Sequence, residues 1–272
     1  MPRIDIDEVL REKAPRFAKY IPRFIRNWLR RTIHEEALND ILAAGWNRPP
    51  QEFIHVAFER MRIAYRIDGL ERLDPAERYL FVANHPFGGL DGMMIADALI
   101  ERFGDARVVV NDLLMHVEPL QPIWLPVNKH GRQTAAYARR YDEAFAGELP
   151  ILTFPAGLCS RRRDGVVSDT PWRLNFIKRA HASGRKIVPL YVEGRLSDFF
   201  YRIARLRERL GIKLNVEMLW LPDEMFRQGG SRFRIVAGDP IAPDGLRGTL
   251  RQQADTVRGE VYRLKEKLPC TK

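Results

Sequence analysis

The sequence predicts an α/β fold: a mixed, mostly parallel sheet flanked by helices, preceded by an N-terminal basic amphipathic helical element. Three observations predict it. From residue 52 onward, short apolar runs alternate with stretches of helical period, as in a sheet covered on both faces. The runs ending at Ala83 and at Phe154 are apolar and read as buried strands. Residues 14–33 combine basic and aromatic side chains with no acid among them.

The first 50 residues read as the helical, membrane-associating element and residues 51–272 as the core domain. The boundary falls at Trp46-Asn47-Arg48-Pro49-Pro50. Within 14–33 the basic residues are Arg16, Lys19, Arg23, Arg26, Arg30 and Arg31. Phe24, Ile25, Trp28 and Leu29 follow one helical face, and Pro22 starts or kinks that helix. Such a helix suits an anionic bilayer interface; an ordinary helix packed on the domain would read the same. His34 to Gly45 continues the helix and turns acidic. Strands are expected at 61–68, 78–84, 106–111, 123–127, 149–154, 186–192, 214–221 and 232–237. Helices are expected at 52–59, 91–103, 133–146, 171–183, 198–209 and 246–267.

A chain of 272 residues, with 45 Lys and Arg against 35 Asp and Glu, carries a net charge of +10. An anionic partner follows from that balance. An anionic membrane surface is favoured over nucleic acid, because no nucleic-acid motif accompanies the charge. Cys159 and Cys270 form no disulfide framework, so a reducing compartment is expected. The opening MPRIDIDEVLREKAP is charged throughout and lacks the apolar core of a secretory leader. No apolar run approaches the roughly 18 residues that span a bilayer. The expected location is cytoplasmic, peripheral on the inner face of the cell membrane.

The stretch VANHPFGGLDGMM, 82–94, carries the chemistry. His85 sits where a buried strand ends, and Asp91 sits at or just before the start of a helix. The crevice beyond strand carboxyl ends is where open α/β sheets bind ligands. Asp91 is a candidate N-cap, and Gly88-Gly89 let the chain fold back so that it reaches His85. A carboxylate on one imidazole nitrogen fixes the tautomer and leaves the other as a general base. From these residues alone, a catalytic pair and a capping aspartate beside a structural histidine stand level.

NHPFGGLD resembles the first block of the glycerolipid acyltransferases, the family of the bacterial lysophosphatidate enzymes. That family spaces Asn-His and Asp by four residues; here there are five. The Pro and Gly-Gly variant is similar to a subgroup labelled hemolysin, which includes the lyso-ornithine and lyso-glycine lipid O-acyltransferases. The resemblance runs from about Tyr65 to Pro240. In PIWLPVNKHGR, 122–132, Lys129 matches the basic residue that contacts the acceptor's head group. In ILTFPAGLCSRRR, 151–163, Phe154, Pro155, Gly157 and Ser160 match Phe-Pro-Glu-Gly-Thr-Arg-Ser. Ala156, Leu158 and Cys159 replace the glutamate, threonine and arginine, with Arg161 the nearest basic substitute. This departure fits the amino-lipid subgroup better than a lysophosphatidate enzyme. In KIVPLYVEG, 186–194, Pro189 matches a proline that shapes the donor site.

The resemblance implies O-acyl transfer from an acyl thioester, on acyl carrier protein or coenzyme A, to the hydroxyl of a lysolipid. The acceptor would be a lyso-amino-lipid of the lyso-ornithine type or a lysophospholipid. His85 would be the base and Asp91 its partner. Lys129, Gly157, Ser160 and Arg161 would hold the acceptor's head. No cofactor or metal is expected, since no Cys, His or acidic set has ligand spacing. The competing reading is a non-catalytic peripheral protein that binds anionic lipid. Its support is the longer histidine block and the missing glutamate.

Overall fold

The computed structural model describes residues 3–13, 19–127, 134–212 and 215–268. The chain opens with α1 (Ile6–Lys13), α2 (Arg23–Thr32) and α3 (Glu35–Gly45), then enters the core through α4 (Pro50–Met61). Strands β1 (Ala64–Asp68) and β2 (Tyr79–Ala83) lead to α5 (Gly89–Phe103). Next come β3 (Arg107–Asn111), β4 (Trp124–Val127), α6 (Ala135–Ala146) and β5 (Ile151–Thr153). A hairpin of β6 (Arg161–Arg163) and β7 (Val166–Ser168) precedes α7 (Asn175–Ser183) and β8 (Lys186–Val192). The chain ends through α8 (Asp198–Arg209), a 3-10 turn (Val216–Trp220), α9 (Leu221–Arg227), β9 (Arg232–Ala237) and α10 (Leu250–Arg263).

Seven strands form one sheet in the order β1-β9-β8-β2-β5-β3-β4. Every neighbouring pair is parallel except β8 with β9. The mixed, mostly parallel sheet is thus the expected one. Its alternation distributes the core: Phe81 and Ala83 of β2 join α4 and α5 on one face, while Leu80 and Val82 join α6, α7 and α10 on the other. Helix α10 presents Ala254, Val257 and Val261, one helical stripe, to that second face. Each such buried Leu, Phe or Val side chain contributes about 1.5–3 kcal/mol. Pro189 lies inside β8, opposite Val82. Its carbonyl accepts from Gly238 just past the end of β9 (2.8 Å), so its missing N–H falls where that ladder is ending.

The structure departs from expectation in several places. Residues 216–220 form a 3-10 turn running into α9, not a strand. Pro222 in the first turn of α9 favours helix there, and buried Glu217 is drawn inward by two arginines, described below. The β6–β7 hairpin was not expected. Its loop is Asp164-Gly165, both with positive φ (49° and 80°), the backbone of a tight hairpin turn. The N-terminal helix does not run through His34, which adopts φ 54° between α2 and α3. There His34 Nε2 lies 2.9 Å from Asp223 Oδ1, and its ring stacks on Phe226.

The N-terminal segment is also less positive than its own residues suggest. Asp7 of α1 pairs with both Arg26 and Arg30. Arg23 and Arg31 stay exposed. Ile41 and Leu42 of α3 pack into the same core as Phe53 and Ile54 of α4, so residues on both sides of position 50 share one interior. No helix among the described residues is long and apolar enough to cross a membrane.

Candidate active site

Strand β2 ends at Ala83, and the following turn is pinned before it reaches His85. Asn84 is buried and bonds across to Val192 of β8 in both directions, donating through Nδ2 (2.9 Å) and accepting at Oδ1 (2.7 Å). His85 then emerges at the carboxyl edge of the sheet. Its imidazole stacks on Phe154, with ring centroids 4.0 Å apart and planes 27° from parallel. Its Nδ1 lies 3.1 Å from Asp91, whose carboxylate is fully buried. With Nδ1 engaged there, Nε2 is the nitrogen left for chemistry.

Asp91 is not the N-cap that the sequence suggests. Helix α5 starts two residues earlier, at Gly89, and puts Asp91 in its first turn. The carboxylate reaches back to accept from Phe87 N (3.0 Å) and also accepts from Gly92 N (2.9 Å). Those two amides fix it against the imidazole. Gly88 has φ 78°, and a Cβ there would lie 3.1 Å from Cys159 Sγ. The turn thus requires glycine both for its backbone and for its close approach to the β5 loop. The fifth residue between His85 and Asp91 is absorbed in this turn, and the pair still meets.

The loop after β5 supports the histidine turn. Ser160 N donates to His85 O (2.8 Å). Asp169, buried, accepts at Oδ1 from His85 N (3.1 Å) and Ser160 Oγ (2.7 Å), and at Oδ2 from Trp172 Nε1 (2.9 Å). Asp169 N in turn donates to Tyr262 Oη (2.7 Å). Burial, then the nearby Asp169 carboxylate, pushes the Tyr262 phenol well above its ordinary pKa, so it stays protonated.

Two expected head-group residues face the interior instead. Ser160 is buried, with its hydroxyl on Asp169. Arg161 is buried too, donating to Cys159 O (2.7 Å) and to Glu217 Oε1 (2.6 Å). Glu217 is fully buried, and its other oxygen lies 2.9 Å from Arg207 Nε. The desolvated carboxylate demands both cations, which turns Arg161 away from the solvent that the RRR run suggested. Lys129 lies outside the described residues.

Gly157 does line the open space, with φ 67°. Arg173 stands beside it, its Nε 3.5 Å from where a Gly157 Cβ would lie. Its backbone N donates to Pro155 O (3.0 Å), which ties it to the Phe-Pro-Ala-Gly turn. The Arg173 side chain is exposed, with no hydrogen bond or ion pair to another described residue. It falls within the helix expected at 171–183, which begins only at Asn175. Its signal lay in position alone, an arginine following a second short return to the sheet edge.

These groups open onto one cavity of about 550 Å³. His85, Gly157 and Arg173 lie on its wall. Most of the rest is apolar, with Ile54 and Met61 from α4, Val108 and Val110 from β3, and Leu221 and Met225 from α9. Tyr141 adds a phenol whose pKa burial pushes up to about 12, so it too remains neutral. Ile4, Leu38 and Ile41 extend the wall into the N-terminal element. An apolar space with a His–Asp pair and an unpaired arginine suits a long-chain ester chemistry better than a small polar substrate.

Known proteins resemble this chain over nearly its whole length. An acyltransferase family model matches residues 8–271. A lyso-glycine lipid O-acyltransferase from Phocaeicola vulgatus is 38% identical over 264 residues, covering 96% of this chain and 95% of that protein. Its counterpart from Bacteroides thetaiotaomicron is 37% identical over 264 residues, covering 96% and 97%. The crystal structure of the 1-acyl-sn-glycerophosphate acyltransferase PlsC from Thermotoga maritima matches with a TM-score of 0.51 and 15% identity. It covers 92% of this chain and 100% of that one, and it shares the fold.

Proposed function

The chain belongs to the acyltransferase family and is a lysolipid O-acyltransferase; from that premise we propose that its acceptor is a lyso-amino-lipid of the lyso-glycine type, acylated through His85. The observation that carries the mechanism is the His85–Asp91 pair on the wall of an apolar cavity. Nδ1–H of His85 donates to Asp91, which holds the tautomer and supports the charge to come. Nε2 takes the proton of the acceptor's hydroxyl as its oxygen attacks the carbonyl of an acyl thioester. The tetrahedral intermediate collapses, the C–S bond breaks, and the leaving thiolate takes the proton from the imidazolium. Protons and charge balance without an acyl-enzyme, and no cofactor is called for.

The thioester donor, on acyl carrier protein or coenzyme A, contributes its acyl chain to the apolar cavity. Arg173 takes the role first assigned to Arg161 and reads an anionic group on the acceptor's head. Gly157 gives that group close access to the wall, while Ser160 and Arg161 hold the wall in place. The acceptor comes from an anionic membrane on which the chain lies peripherally, at its cytoplasmic face. Tyr20, Phe24 and Trp28 are exposed in or just before α2, with Arg23 beside them, and form the N-terminal anchor.

The test is direct. The purified chain is given an acyl thioester and, in parallel, a lyso-glycine lipid, a lyso-ornithine lipid and a lysophosphatidate. Mass spectrometry should find O-acylation of the lyso-glycine lipid, absent with His85→Ala. Preferred acylation of lysophosphatidate would overturn the acceptor assignment. Transfer by folded His85→Ala would overturn the mechanism.

A further inference from the structure

We propose that α8 and the turn after it form a second membrane-inserting face, fitted to an anionic bilayer and backed directly by the wall of the acyl cavity. The proposal builds on the peripheral-membrane reading above, but it rests on its own observations. Helix α8 buries Phe200, Tyr201 and Ala204 against the core. Its outer side is not the usual polar face. Phe199, Leu206 and Leu210 are 36%, 54% and 64% exposed, and with half-buried Ile203 between them they follow one helical stripe. Exposed Ile212 and Leu219 extend the patch beyond the helix.

The charges on this face point the same way. Arg202, Arg205 and Arg209 are exposed along α8, and none pairs with an acidic side chain among the described residues. Arg207 is the exception, turned inward to Glu217. An apolar stripe flanked by arginines is the design of an interfacial helix. The stripe enters the acyl boundary, and the guanidinium groups stay at the phosphate level. A second copy of this chain would bring two such sets of arginines together, in a protein of net charge +10. That repulsion argues against self-association through this face.

Two contacts tie this face to the rest of the machinery. Trp220 packs edge-on against Phe199 at 5.7 Å and against Trp28 of α2 at 5.6 Å. The α8 face and the N-terminal element therefore form one continuous surface. Just inside it, Met218, Leu221, Pro222 and Met225 line the cavity. Consecutive residues thus alternate between bilayer and cavity: Met218 and Leu221 face in, while Leu219 is exposed. A lipid leaving the bilayer here is next to the residues that line the cavity.

The experiment uses the full chain and co-sedimentation with vesicles of neutral phospholipid, with and without anionic phospholipid. Two triple variants carry it: Phe199→Ser, Leu206→Ser, Leu210→Ser, and Arg202→Glu, Arg205→Glu, Arg209→Glu. The arginine set should lose roughly tenfold or more of its affinity for anionic vesicles, and most of its salt dependence. The apolar set should weaken binding by roughly tenfold at every salt concentration. Turnover of vesicle-embedded acceptor should fall in step, while acceptor dispersed as monomers is used normally. Unchanged vesicle affinity in both variants would overturn the proposal. So would intact vesicle binding combined with lost use of a carrier-protein donor, which would make the face a protein-docking site. A dimer of the parent chain that the apolar set dissociates would overturn it in favour of a second copy. Sedimentation reads no acyl transfer, so it stands or falls separately from the assigned reaction. Quenching of tryptophan fluorescence by brominated lipid in the unmodified chain is a check that needs no variant.

Discussion

Two turns leave adjacent strands at the same edge of the sheet, and they use their polar residues in opposite ways. The turn after β2 aims His85 into the cavity and buries Asp91 behind it. The turn after β5 leads into a run of three arginines, 161–163, yet Ser160 and Arg161 point into the protein, onto Asp169 and Glu217. The first turn puts the His85 imidazole on the cavity wall. The second supplies the hydrogen bonds that hold the first. A polar residue near a site is therefore placed by what it must satisfy, and burying a carboxylate such as Glu217 recruits the nearest arginines whatever their sequence context suggests.

The sharpest way to break this comparison is His85→Ala. Turnover should fall by about 100- to 10,000-fold, the usual contribution of a general base, with the chain still folded. A folded variant that keeps its turnover would leave the first turn with no chemical role. Arg161→Ala comes next and should act in the opposite manner. Leaving Glu217 with one cation should cost about 3–5 kcal/mol of stability, read by denaturant titration. The acceptor KM of the protein that stays folded should not move. A raised KM at full stability would return Arg161 to the binding surface and erase the contrast.

Asp91→Asn should lower turnover by roughly tenfold or more, because an amide no longer enforces the tautomer that leaves Nε2 free. Some stability should go with it, because Phe87 N and Gly92 N donate to different oxygens of Asp91 and asparagine keeps only one of the two. Full activity here would mean that Asp91 only orders the helix start. Arg173→Ala should act on acceptor binding and leave turnover alone. A charged hydrogen bond contributes about 1.5–3 kcal/mol, so the acceptor KM should rise by about 10- to 100-fold with turnover at saturation near normal. Equal losses on acceptors with neutral heads would show that Arg173 does not read the anion.

The sequence made the sheet and the histidine turn legible for physical reasons. The β2 run Tyr79–Ala83 is apolar because it is buried on both faces. The His85–Asp91 spacing closes within one turn, so local geometry decides it. The second turn was opaque because its partners are remote. Arg161 meets Glu217 across 56 positions of sequence, and His85 N meets Asp169 across 84. Nothing local announces either contact. The segment from Val216 departs from the expected strand for a related reason. Leu-Asn-Val-Glu-Met, 214–218, has the alternation of a strand, but the segment buries Glu217 and exposes Leu219, the reverse of a half-buried strand. The two positive φ angles at Asp164-Gly165 were readable in principle, since Asp-Gly is a hairpin signal.

The strand order has a consequence for how the protein comes into being. Strand β2, which carries the histidine turn, sits between β5 and β8, and β1 at the sheet's edge pairs only with β9. Chain emerging from a ribosome presents β1 and β2 long before β8 and β9 exist. Until they arrive, β1 has no partner, the apolar β2 has an open edge, and Asn84 has no Val192 to bond. Parallel pairings of such long sequence separation close late and slowly, and half-made sheets of this kind aggregate readily. Acyl transfer should therefore switch on only with release of the last part of the chain, and fragments ending before β8 should be insoluble rather than weakly active.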